Sequence, residues 1–503
     1  MIHILSSCKK SGKPVYFQIH QKAIETLPKK KTPGSDGLPI EFYAKFWPLF
    51  GNLVVDSFNS GHLKGEMTAS QRQAVITLLD KGKDRTLLKN WRPISLLNVD
   101  YKIATKTVAN RIIKHLPKLI HLNQVGYVKD RNITDNIRTV IDLMEYLKRE
   151  NLPGLLINID FEKSFDSVDW TFLKLVLKKF NFGDSLIRWF EVFYTNISSC
   201  IINAGFTSRY FQVCRGVRQG DPLSPYLFIL CVETLANSIR QNENIKGIQL
   251  EHEKLKLCQY ADDTNGILMD KRSAKTFLNT VEVFGTFSGL KLNKEKTEAM
   301  WLGSLRHSNC KPLGIRWPDE PLRMLGIYIS YDEDLCKEKN FRDKIVRMKN
   351  IINTWKGRNL TMLGRVQIIK SFLISQLTYV SSVLDIPADI LKDINKLVFN
   401  FVWDGRRDKI CRSTLKRELG EGGLKIPDVE TLLQTSKIKW IKRLFSGPQM
   451  AWQFFLSTYL SNVGIHLNIL KYANFDMKSL NIRNDTLPVF YQKMLKFMGR
   501  GWG

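Results

Sequence analysis

The alternation of apolar and polar positions predicts a strand followed by a helix near the middle of the first half of the chain. Residues 155–161 form a short, nearly continuous apolar run, which is typical of a buried strand. The helical period follows in Trp170, Leu173, Val176, Leu177 and Phe180. Asn181 and Gly183 are typical of the end of a helix. The pattern therefore predicts a strand-then-helix unit, with Asp160 near the end of the strand.

A second pattern predicts a β-hairpin further along the chain. Its apolar arms are Leu255–Tyr260 and Ile267–Met269, and a polar centre at 262–266 separates them. Two adjacent acids, Asp262 and Asp263, are therefore expected at the tip of the hairpin.

Three further segments are basic and at least partly helical in pattern. Residues 28–48 begin with three lysines and two turn dipeptides before an aromatic amphipathic stretch, so a basic loop is expected to enter a helix. Residues 97–122 place apolar side chains at roughly helical spacing, with lysines and arginines between them. Beyond about residue 335 the pattern is again helical and basic, which predicts a helical carboxy-terminal region.

The composition indicates a kind of binding partner, because the chain is strongly basic. Its 503 residues include 76 Lys and Arg against 48 Asp and Glu, which gives a formal net charge of +28. Such a chain is expected to bind a polyanion, although an excess of positive charge is often only a solvated surface. A single hydrophobic core stops growing at about 250–300 residues, so the length favours two or more packed subdomains.

Several classes of protein are excluded by what the sequence lacks. No apolar run approaches the ~20 residues that a membrane span needs, and Met1–Lys10 does not have the pattern of a secretory signal. The protein is therefore expected to be intracellular, in the nucleus or the cytoplasm. The eight cysteines include no Cys-x-x-Cys pair, which excludes the zinc deaminases and zinc metalloproteases. Most of the thiols are expected to be reduced and buried.

The acidic residues suggest a metal site. A lone carboxylate such as Asp160 at the end of an apolar strand carries a desolvation cost unless it is paired, hydrogen-bonded or metal-bound. The adjacent carboxylates of Asp262 and Asp263 repel each other unless a cation or water holds them. Magnesium prefers oxygen ligands, and two such ions can stabilise both the attacking and the leaving oxygen of a phosphoryl displacement. Ordinary turn or helix-terminal chemistry at these positions is the alternative.

Three motifs of the chain resemble motifs A, B and C of reverse transcriptases in order and spacing. They are NIDFEKSFD (Asn158–Asp166), RQGDPLSP (Arg218–Pro225) and YADD (Tyr260–Asp263). Further segments resemble the polymerases of non-LTR (LINE-type) retrotransposons, namely NWRPISLL (Asn90–Leu97), QVGY (Gln124–Tyr127), GLKLNKEKT (Gly289–Thr297), LGI (Leu325–Ile327) and GGLKIPD (Gly422–Asp428). The likeness covers about residues 28–440.

This resemblance implies an α+β chain with the right-hand polymerase fold, in which fingers, an antiparallel-sheet palm and a helical thumb surround the substrates. Three regions are expected. An amino-terminal extension and finger-entry segment covers residues 1–60, a reverse transcriptase domain of fingers and palm covers 61–330, and a helical thumb and carboxy-terminal region covers 331–503. The implied activity is RNA-directed DNA polymerisation, in which a primer 3′-hydroxyl attacks the α-phosphorus of a deoxynucleotide and pyrophosphate leaves.

The resemblance also implies roles for individual residues. Asp160, Asp262 and Asp263 would be the catalytic acids, and with the backbone carbonyl of Phe161 they would hold two Mg²⁺ ions, for which Mn²⁺ could substitute. Phe165 would be a steric gate that leaves no room for the 2′-hydroxyl of a ribonucleotide. The alternative for Phe165 is a plain core residue.

Four more positions match residues that surround the substrates in the family. Gln219 and Gly220 would lie along the template and the nucleotide, where glycine allows a close backbone approach; the alternative is an ordinary turn. Arg92 and Arg131 match finger positions that touch the triphosphate or the template, unless they are surface arginines.

Two other matches lie later in the chain. Lys296 occupies the position of a proton donor to the departing pyrophosphate, with a solvated turn lysine as the alternative. Leu325, Gly326 and Ile327 resemble the primer grip, although an apolar strand would also pack in any core.

The flanking parts of the family are not recognised in this sequence. Only about 28 residues precede the first match, too few for the endonuclease that such elements usually encode, and no Cys/His knuckle follows Cys411. The chain is therefore expected to be a truncated copy whose partners are an RNA template, a DNA or RNA primer and dNTPs, with no membrane. A catalytically silent nucleic-acid-binding relic is the alternative function. A group II intron-type maturase shares the polymerase core but is disfavoured by the non-LTR motifs.

Overall fold

Two compact units make up the chain, and each is built from segments that are distant in the sequence. The computed structural model describes residues 15–250, 254–319, 321–462 and 487–498. The first unit comprises Met1–Lys129, Ile159–Gly247 and Lys256–Thr297, and the second comprises Asp130–Asn158, Ile248–Leu255 and Glu298–Gly503. The three regions predicted from the sequence divide the chain by function, and their boundaries stay predictions.

Strands and helices are interspersed along the chain, which confirms the predicted α+β class. The strands are β1 (Gln73–Asp80), β2 (Trp91–Leu97), β3 (Pro153–Ile159), β4 (Ser198–Asn203), β5 (Phe206–Thr207), β6 (Phe211–Gln212), β7 (Ile248–Gln249), β8 (Lys254–Leu255), β9 (Leu257–Tyr260), β10 (Asp263–Leu268), β11 (Glu298–Gly303), β12 (Leu322–Met324) and β13 (Ile327–Ile329).

The helices follow the same chain order. They are α1 (Val15–Thr26), α2 (Ile40–Lys64), α3 (Ala69–Arg72), α4 (Val99–Ile112), α5 (Leu116–Leu119), α6 (Ile133–Arg149), α7 (Ser164–Ser167), α8 (Trp170–Lys179), α9 (Asp184–Tyr194), α10 (Ser224–Gln241), α11 (Lys271–Ser288), α12 (Glu333–Lys337), α13 (Asp343–Lys356), α14 (Met362–Ile368), α15 (Ser375–Val383), α16 (Ala388–Val402), α17 (Arg412–Lys416), α18 (Val429–Ser446), α19 (Ala451–Ser461) and α20 (Val489–Met498). Two π-helical segments, Glu338–Arg342 and Ile369–Ile374, join α12 to α13 and α14 to α15.

A five-stranded sheet lies in the first unit. Its order is β2-β1-β4-β5, and β6 also pairs with β4. β1 is antiparallel to β2 and parallel to β4. The chain turns back after β4 through Ala204 and Gly205, whose φ angles of 49° and 86° are those of a tight two-residue hairpin turn.

The predicted strand-then-helix unit is confirmed. β3 ends at Ile159, and α8 begins directly after Asp169, whose side chain accepts a hydrogen bond from Phe172 N (2.8 Å). This cap satisfies one of the backbone N–H groups that the first turn of a helix leaves without an intrahelical partner. In the second unit, β3 up to Asn158 pairs antiparallel with β11.

The predicted hairpin is also confirmed, but its turn is shorter than the sequence indicated. β9 and β10 pair antiparallel with Tyr260 opposite Asp263, so the turn consists of Ala261 and Asp262. Residues 264–265, which the sequence placed in a polar centre, are fully buried strand residues. That part of the prediction is wrong because strand pairing satisfies the backbone N–H and C=O groups here, whatever the polarity of the side chains.

The basic helical segments lie where the sequence predicted them. α2 begins at Ile40, after the basic loop within residues 28–48. α4 and α5 fill most of residues 97–122, and helices dominate the described chain beyond residue 335. None of the described helices has both the length and the apolar character that crossing a bilayer requires.

The cysteines agree only in part with the prediction. In the described ranges all thiols are free; Cys200, Cys231 and Cys258 are buried. The exposed thiols are those of Cys214, Cys310 and Cys411, and the thiol of Cys336 is partly exposed. The expectation that most thiols are buried is wrong for these, since the three exposed cysteines lie in segments between strands and helices. Cys8 lies outside the described residues.

A buried ion pair on α6 lies in the core of the second unit. Arg138 Nε donates a hydrogen bond to Asp142 Oδ1 (2.9 Å) one turn along the helix, and both side chains are almost fully buried. Tyr491 OH on α20 donates to the other carboxylate oxygen. The Arg138 guanidinium also lies 4.6 Å from the ring centroid of Phe490. Because neither charge has much access to water, each depends on the other for neutralisation.

Replacing Asp142 with Asn is expected to lower the free energy of unfolding by about 3–5 kcal/mol, because it leaves the Arg138 guanidinium buried without its counter-charge. The control is Glu145→Gln on the same helix, since its pair with Arg149 is solvent-exposed and such pairs contribute less than about 1 kcal/mol. Urea-induced unfolding followed by circular dichroism measures both variants. Equal losses of unfolding free energy in the two variants would show that burial does not increase the contribution of the Arg138–Asp142 pair to stability.

Candidate active site

Asp160 is held by a segment that runs alongside it. Phe161 and Leu292 form an isolated antiparallel bridge, and Asn293 N donates to the Asp160 carbonyl oxygen (2.9 Å). This backbone pairing brings two side chains to the carboxylate. Asn293 Nδ2 donates to Asp160 Oδ2 (3.1 Å), and Lys296 Nζ lies 3.8 Å from the same oxygen. Asn293 had no predicted role, although it lies inside one of the recognised motifs.

Asp262 and Asp263 follow a turn that a buried glutamine supports. Ala261 has a φ of +53°, in the left-handed region that residues other than glycine rarely occupy. Gln124 Oε1 accepts a hydrogen bond from Ala261 N (2.8 Å), and its Nε2 donates to the Ala261 carbonyl oxygen (3.2 Å). The role of Gln124 cannot be predicted from the sequence, because no local pattern shows that its side chain reaches a turn so far along the chain.

Ser164 connects the two acidic segments. It begins α7, shortly after Asp160, and its Oγ donates to Asp262 Oδ2 (2.6 Å). The charge of Asp262 also raises the pKa of Asp160. The structure therefore brings together the acids that the sequence predicted would converge, although they are far apart along the chain.

The pKa values of the acids follow from this convergence. Burial raises the pKa of Asp160; Lys296 and Asn293 oppose that increase, and Asp262 adds to it. Asp263 keeps an exposed edge, yet the burial of its remaining surface, followed by the charges of Asp262 and Asp160, raises its pKa to about 6. The negative charge of Asp262 thus acts on two partly desolvated carboxylates, those of Asp160 and Asp263.

This donor set fits a hard divalent cation. Carboxylates that repel one another are stabilised when a cation lies among them, and Mg²⁺ prefers oxygen ligands. Within the described ranges, no group of three or more His, Cys, Asp or Glu side chains is placed to hold a metal ion as it stands. The contacts explain why, since Asp262 is directed to Ser164 while Asp160 is directed to Asn293 and Lys296. A bound ion would have to replace some of those contacts.

Phe165 is anchored through one face of its ring. The ring stacks on that of Phe228 in α10, with centroids 4.5 Å apart and an angle of 9° between the planes. Phe228 is fully buried, whereas Phe165 is half-buried. The Phe165 carbonyl oxygen accepts a hydrogen bond from Val217 N (2.7 Å). The side chain is therefore part of the core on one side and remains partly accessible.

Gln219 and Gly220 lie against Asp166 and against strand β2 of the five-stranded sheet. Gln219 Nε2 lies 3.3 and 3.4 Å from the two carboxylate oxygens of Asp166. Ser95 N, on β2, donates to the Gln219 carbonyl oxygen (2.8 Å). Gly220 has a φ of +117°, and a Cβ there would lie 2.6 Å from the Ser95 carbonyl oxygen. Glycine is required at this position because two backbone segments approach closely. The sequence predicts a close approach at Gly220, but to the template and the nucleotide.

A group of cations shares this region of the first unit. Arg92 is exposed on β2, and Lys81 follows the end of β1. Burial lowers the pKa of Lys81, the positive charges of Arg92 and Lys296 lower it further, and Asp160 raises it. Lys81 was not predicted as a site residue, although its place just after a strand, shortly before the Asn90–Leu97 motif, is a signal that could have been used.

Arg131 and the residues predicted to form the primer grip belong to the second unit. Arg131 is half-buried and precedes α6. Leu325 and Gly326 form the turn between β12 and β13, and Ile327 begins β13. The alternative of a plain apolar strand does not apply to Leu325 and Gly326, because their φ angles of 48° and 84° belong to a turn. The primer-grip role stays a prediction. Tyr379 OH donates to the Leu325 carbonyl oxygen (2.6 Å).

Known proteins resemble this chain over most of its length. Residues 79–329 match the family model for reverse transcriptase (RNA-dependent DNA polymerase). The transposon TX1 uncharacterized 149 kDa protein of Xenopus laevis is 30% identical over 501 residues, which cover 96% of this chain and 37% of that protein. The RNA-directed DNA polymerase from mobile element jockey of Drosophila melanogaster is 24% identical over 84% of this chain and 47% of its own length.

A further relative and a solved structure are also similar. The retrovirus-related Pol polyprotein from type-1 retrotransposable element R2 of Popillia japonica is 27% identical over 54% of this chain and 37% of that protein. The chain thus spans less than half the length of these three relatives. The solved structure is that of telomerase from Candida tropicalis with a fragment of telomeric RNA. Its match covers 79% of this chain and 66% of the telomerase chain, with 14% identity and a TM-score of 0.41. The family match confirms the predicted right-hand polymerase fold class.

Replacing Gly220 with Ala is expected to lower the free energy of unfolding by about 1–3 kcal/mol, because a side chain disfavours the positive φ and would collide with the Ser95 carbonyl oxygen. The matched control is Gly183→Ala in the same unit, where a Cβ would have nothing within 4 Å and φ is −67°. Equilibrium unfolding in urea compares the two. An alanine at 220 that is tolerated as well as one at 183 would mean that the loop moves freely away from β2.

Proposed function

Because the chain belongs to the reverse transcriptase family, we propose that it is the RNA-directed DNA polymerase of a non-LTR retrotransposon. The observation that carries this proposal is the convergence of Asp160, Asp262 and Asp263, of which Asp160 and Asp263 are partly desolvated. Acids that converge at a desolvation cost are typical of sites that handle cations and phosphates.

The proposed reaction transfers a nucleotide from a dNTP to the 3′-hydroxyl of a DNA or RNA primer on an RNA template. Two Mg²⁺ ions, or Mn²⁺ in their place, held by Asp160, Asp262 and the backbone carbonyl of Phe161, would stabilise the charge on the attacking and leaving oxygens. Asp263 completes the acidic cluster. The surrounding residues bind and orient the substrates, and no covalent enzyme intermediate is involved.

The cations around the acids would bind the triphosphate. Lys81, Arg92 and Lys296 share the electrostatic environment of Asp160, as the pKa of Lys81 indicates. A Lys or Arg side chain forms charge-assisted hydrogen bonds with phosphate oxygens. Lys296 is also the proposed proton donor to the departing pyrophosphate, and its Nζ lies 3.8 Å from the Asp160 carboxylate.

Residues outside the acidic site have proposed roles as well. Residues 1–60 would lead into the fingers, 61–330 would form the fingers and palm, and 331–503 would include the thumb. Arg131 would contact the template or triphosphate, and the segment 325–327 would hold the primer end. We place the protein inside the cell.

Replacing Asp160 with Asn, or both Asp262 and Asp263 with Asn, is expected to reduce primer extension by at least about 100-fold, because the charge that holds the ions is lost. The assay uses a primed RNA template with dNTPs and Mg²⁺, repeated with Mn²⁺. The control is Asp56→Asn, which removes an exposed carboxylate on α2 of the same unit and should extend as the wild type does.

Two outcomes of this assay would overturn the proposal. Equal extension by the wild type and the Asp160→Asn variant would reject the assignment of the acids. Absence of extension by the wild type, together with tight and strongly salt-dependent RNA binding, would favour a catalytically silent nucleic-acid-binding protein.

Replacing Phe165 with Val is expected to raise the efficiency of ribonucleotide use relative to deoxyribonucleotide use by about tenfold or more, because a smaller side chain leaves space for the 2′-hydroxyl. The ratio of kcat/KM for rNTP and dNTP measures this change. Phe190→Val is the control, since it makes the same substitution at a buried phenylalanine of the first unit that lies in α9 and packs on Tyr194. A ratio that shifts equally in both variants would assign Phe165 to the core alone.

A further inference from the structure

The hairpin formed by β4, β5 and β6 exposes apolar side chains that a folded protein usually covers. Phe206 is 82% exposed, Phe211 is 43% exposed and Ile201 is 38% exposed. Large exposed apolar side chains that lie together usually mark a binding surface, whereas single ones do not. Whether these three lie together is decided by the strand register.

The register places all three side chains on one face of the sheet. Asn203 pairs with Phe206, and Ser199 pairs with Phe211, both in antiparallel strands. Directly paired residues of antiparallel strands share a face, and so do residues two apart along one strand. Ser199, Ile201 and Asn203 on β4 therefore share a face with both phenylalanine rings.

The spacing of the rings separates them into two contact points. Phe206 and Phe211 oppose positions four residues apart on β4, which at about 3.3 Å per residue is about 13 Å. One planar group cannot stack on both rings. Two successive planar groups joined by an extended chain could each stack on one ring.

The charge of this segment indicates which kind of ligand would bind to the face. From Val192 to Gly220 the sequence contains no Asp or Glu, whereas it contains Arg209 and Arg215, both exposed. The same sheet face continues onto β1, where the acid Asp80 lies at the far end and is paired with Arg85 (2.7 Å). The hairpin is therefore locally cationic as well as aromatic.

We propose that this hairpin face binds single-stranded nucleic acid, with Phe206 and Phe211 each stacking on a base and Arg209 and Arg215 contacting the phosphates. Aromatic rings interleaved with cations bind single strands because every base has a planar face and every nucleotide carries a negative charge. The strand β6 leads through Arg215 to the Gln219–Gly220 loop, so a bound strand could continue toward that loop. The proposal does not require that the chain polymerise DNA.

The test measures the affinity of the full chain for a short, fluorescently labelled single-stranded oligouridylate, without nucleotides or divalent ions. Phe206→Ala combined with Phe211→Ala is expected to weaken binding by about tenfold for each ring. Replacement of both by Tyr should retain wild-type affinity, since a tyrosine ring still stacks. Replacement of both by Leu should lose as much affinity as Ala, since leucine is apolar but cannot stack on a base.

Three controls separate stacking from charge and from general surface effects. Phe287→Ala removes a phenylalanine that is 65% exposed elsewhere in the first unit and should bind as the wild type does. Arg209→Gln and Arg215→Gln should each reduce the slope of log affinity against log salt by about one, whereas the phenylalanine variants leave that slope unchanged. An abasic ribose-phosphate oligomer should bind the wild type and the double Ala variant equally weakly.

The proposal is overturned by any of three results. These are wild-type affinity in the double Ala variant, wild-type affinity in the double Leu variant, or an altered sedimentation coefficient of the double Ala variant, which would make the face a contact between copies of the chain. The binding assay contains no nucleotide and no divalent ion, so its result does not depend on primer extension. A failure of primer extension and a failure of this surface are therefore distinguishable.

Discussion

The repulsion among three carboxylates is the constraint on which the arrangement of the first unit depends. Burial raises the pKa of both Asp160 and Asp263, and the charge of Asp262 raises both further. Hydrogen bonds and a nearby ammonium group partly compensate for this cost, through Asn293, Ser164 and Lys296. A protein keeps such a cluster at the expense of stability when the cluster has a task, and here the task fits cations and phosphates.

The segment after Asp160 shows how closely the neighbouring elements are tied to the acids. Three consecutive side chains of α7 each contact a different element. Ser164 bonds the hairpin turn, Phe165 stacks on α10 through Phe228, and Asp166 accepts a hydrogen bond from Gln219. A short helix that makes three such contacts has little freedom to move alone. The acids, the ring beside them and the Gln219 loop are therefore positioned together.

Elements whose signal is local could be predicted from the sequence. The apolar run of β3 and the periodicity of α8 indicate their own structure, and so do the basic segments that become α2 and α4. The limits of the hairpin turn could not be predicted in this way. The polar residues Thr264 and Asn265 suggest a loop, yet backbone pairing continues through them and buries both side chains. The burial of individual cysteines was likewise decided by distant packing.

The sequence by itself determined the chemistry of the candidate site, because the acids, the phenylalanine and the Gln-Gly pair stand in motifs whose order and spacing can be compared with a family. The tertiary structure decided which other groups serve that chemistry. Gln124 supports the turn of the acids, Asn293 bonds Asp160, and Lys81 joins the cations, although none of the three is adjacent to the acids in sequence. The tertiary structure also decided that Phe206 and Phe211 share one face of the sheet. The physical reason is that hydrogen bonds and charge interactions act over a few ångströms in space, and strand register sets which side chains come that close.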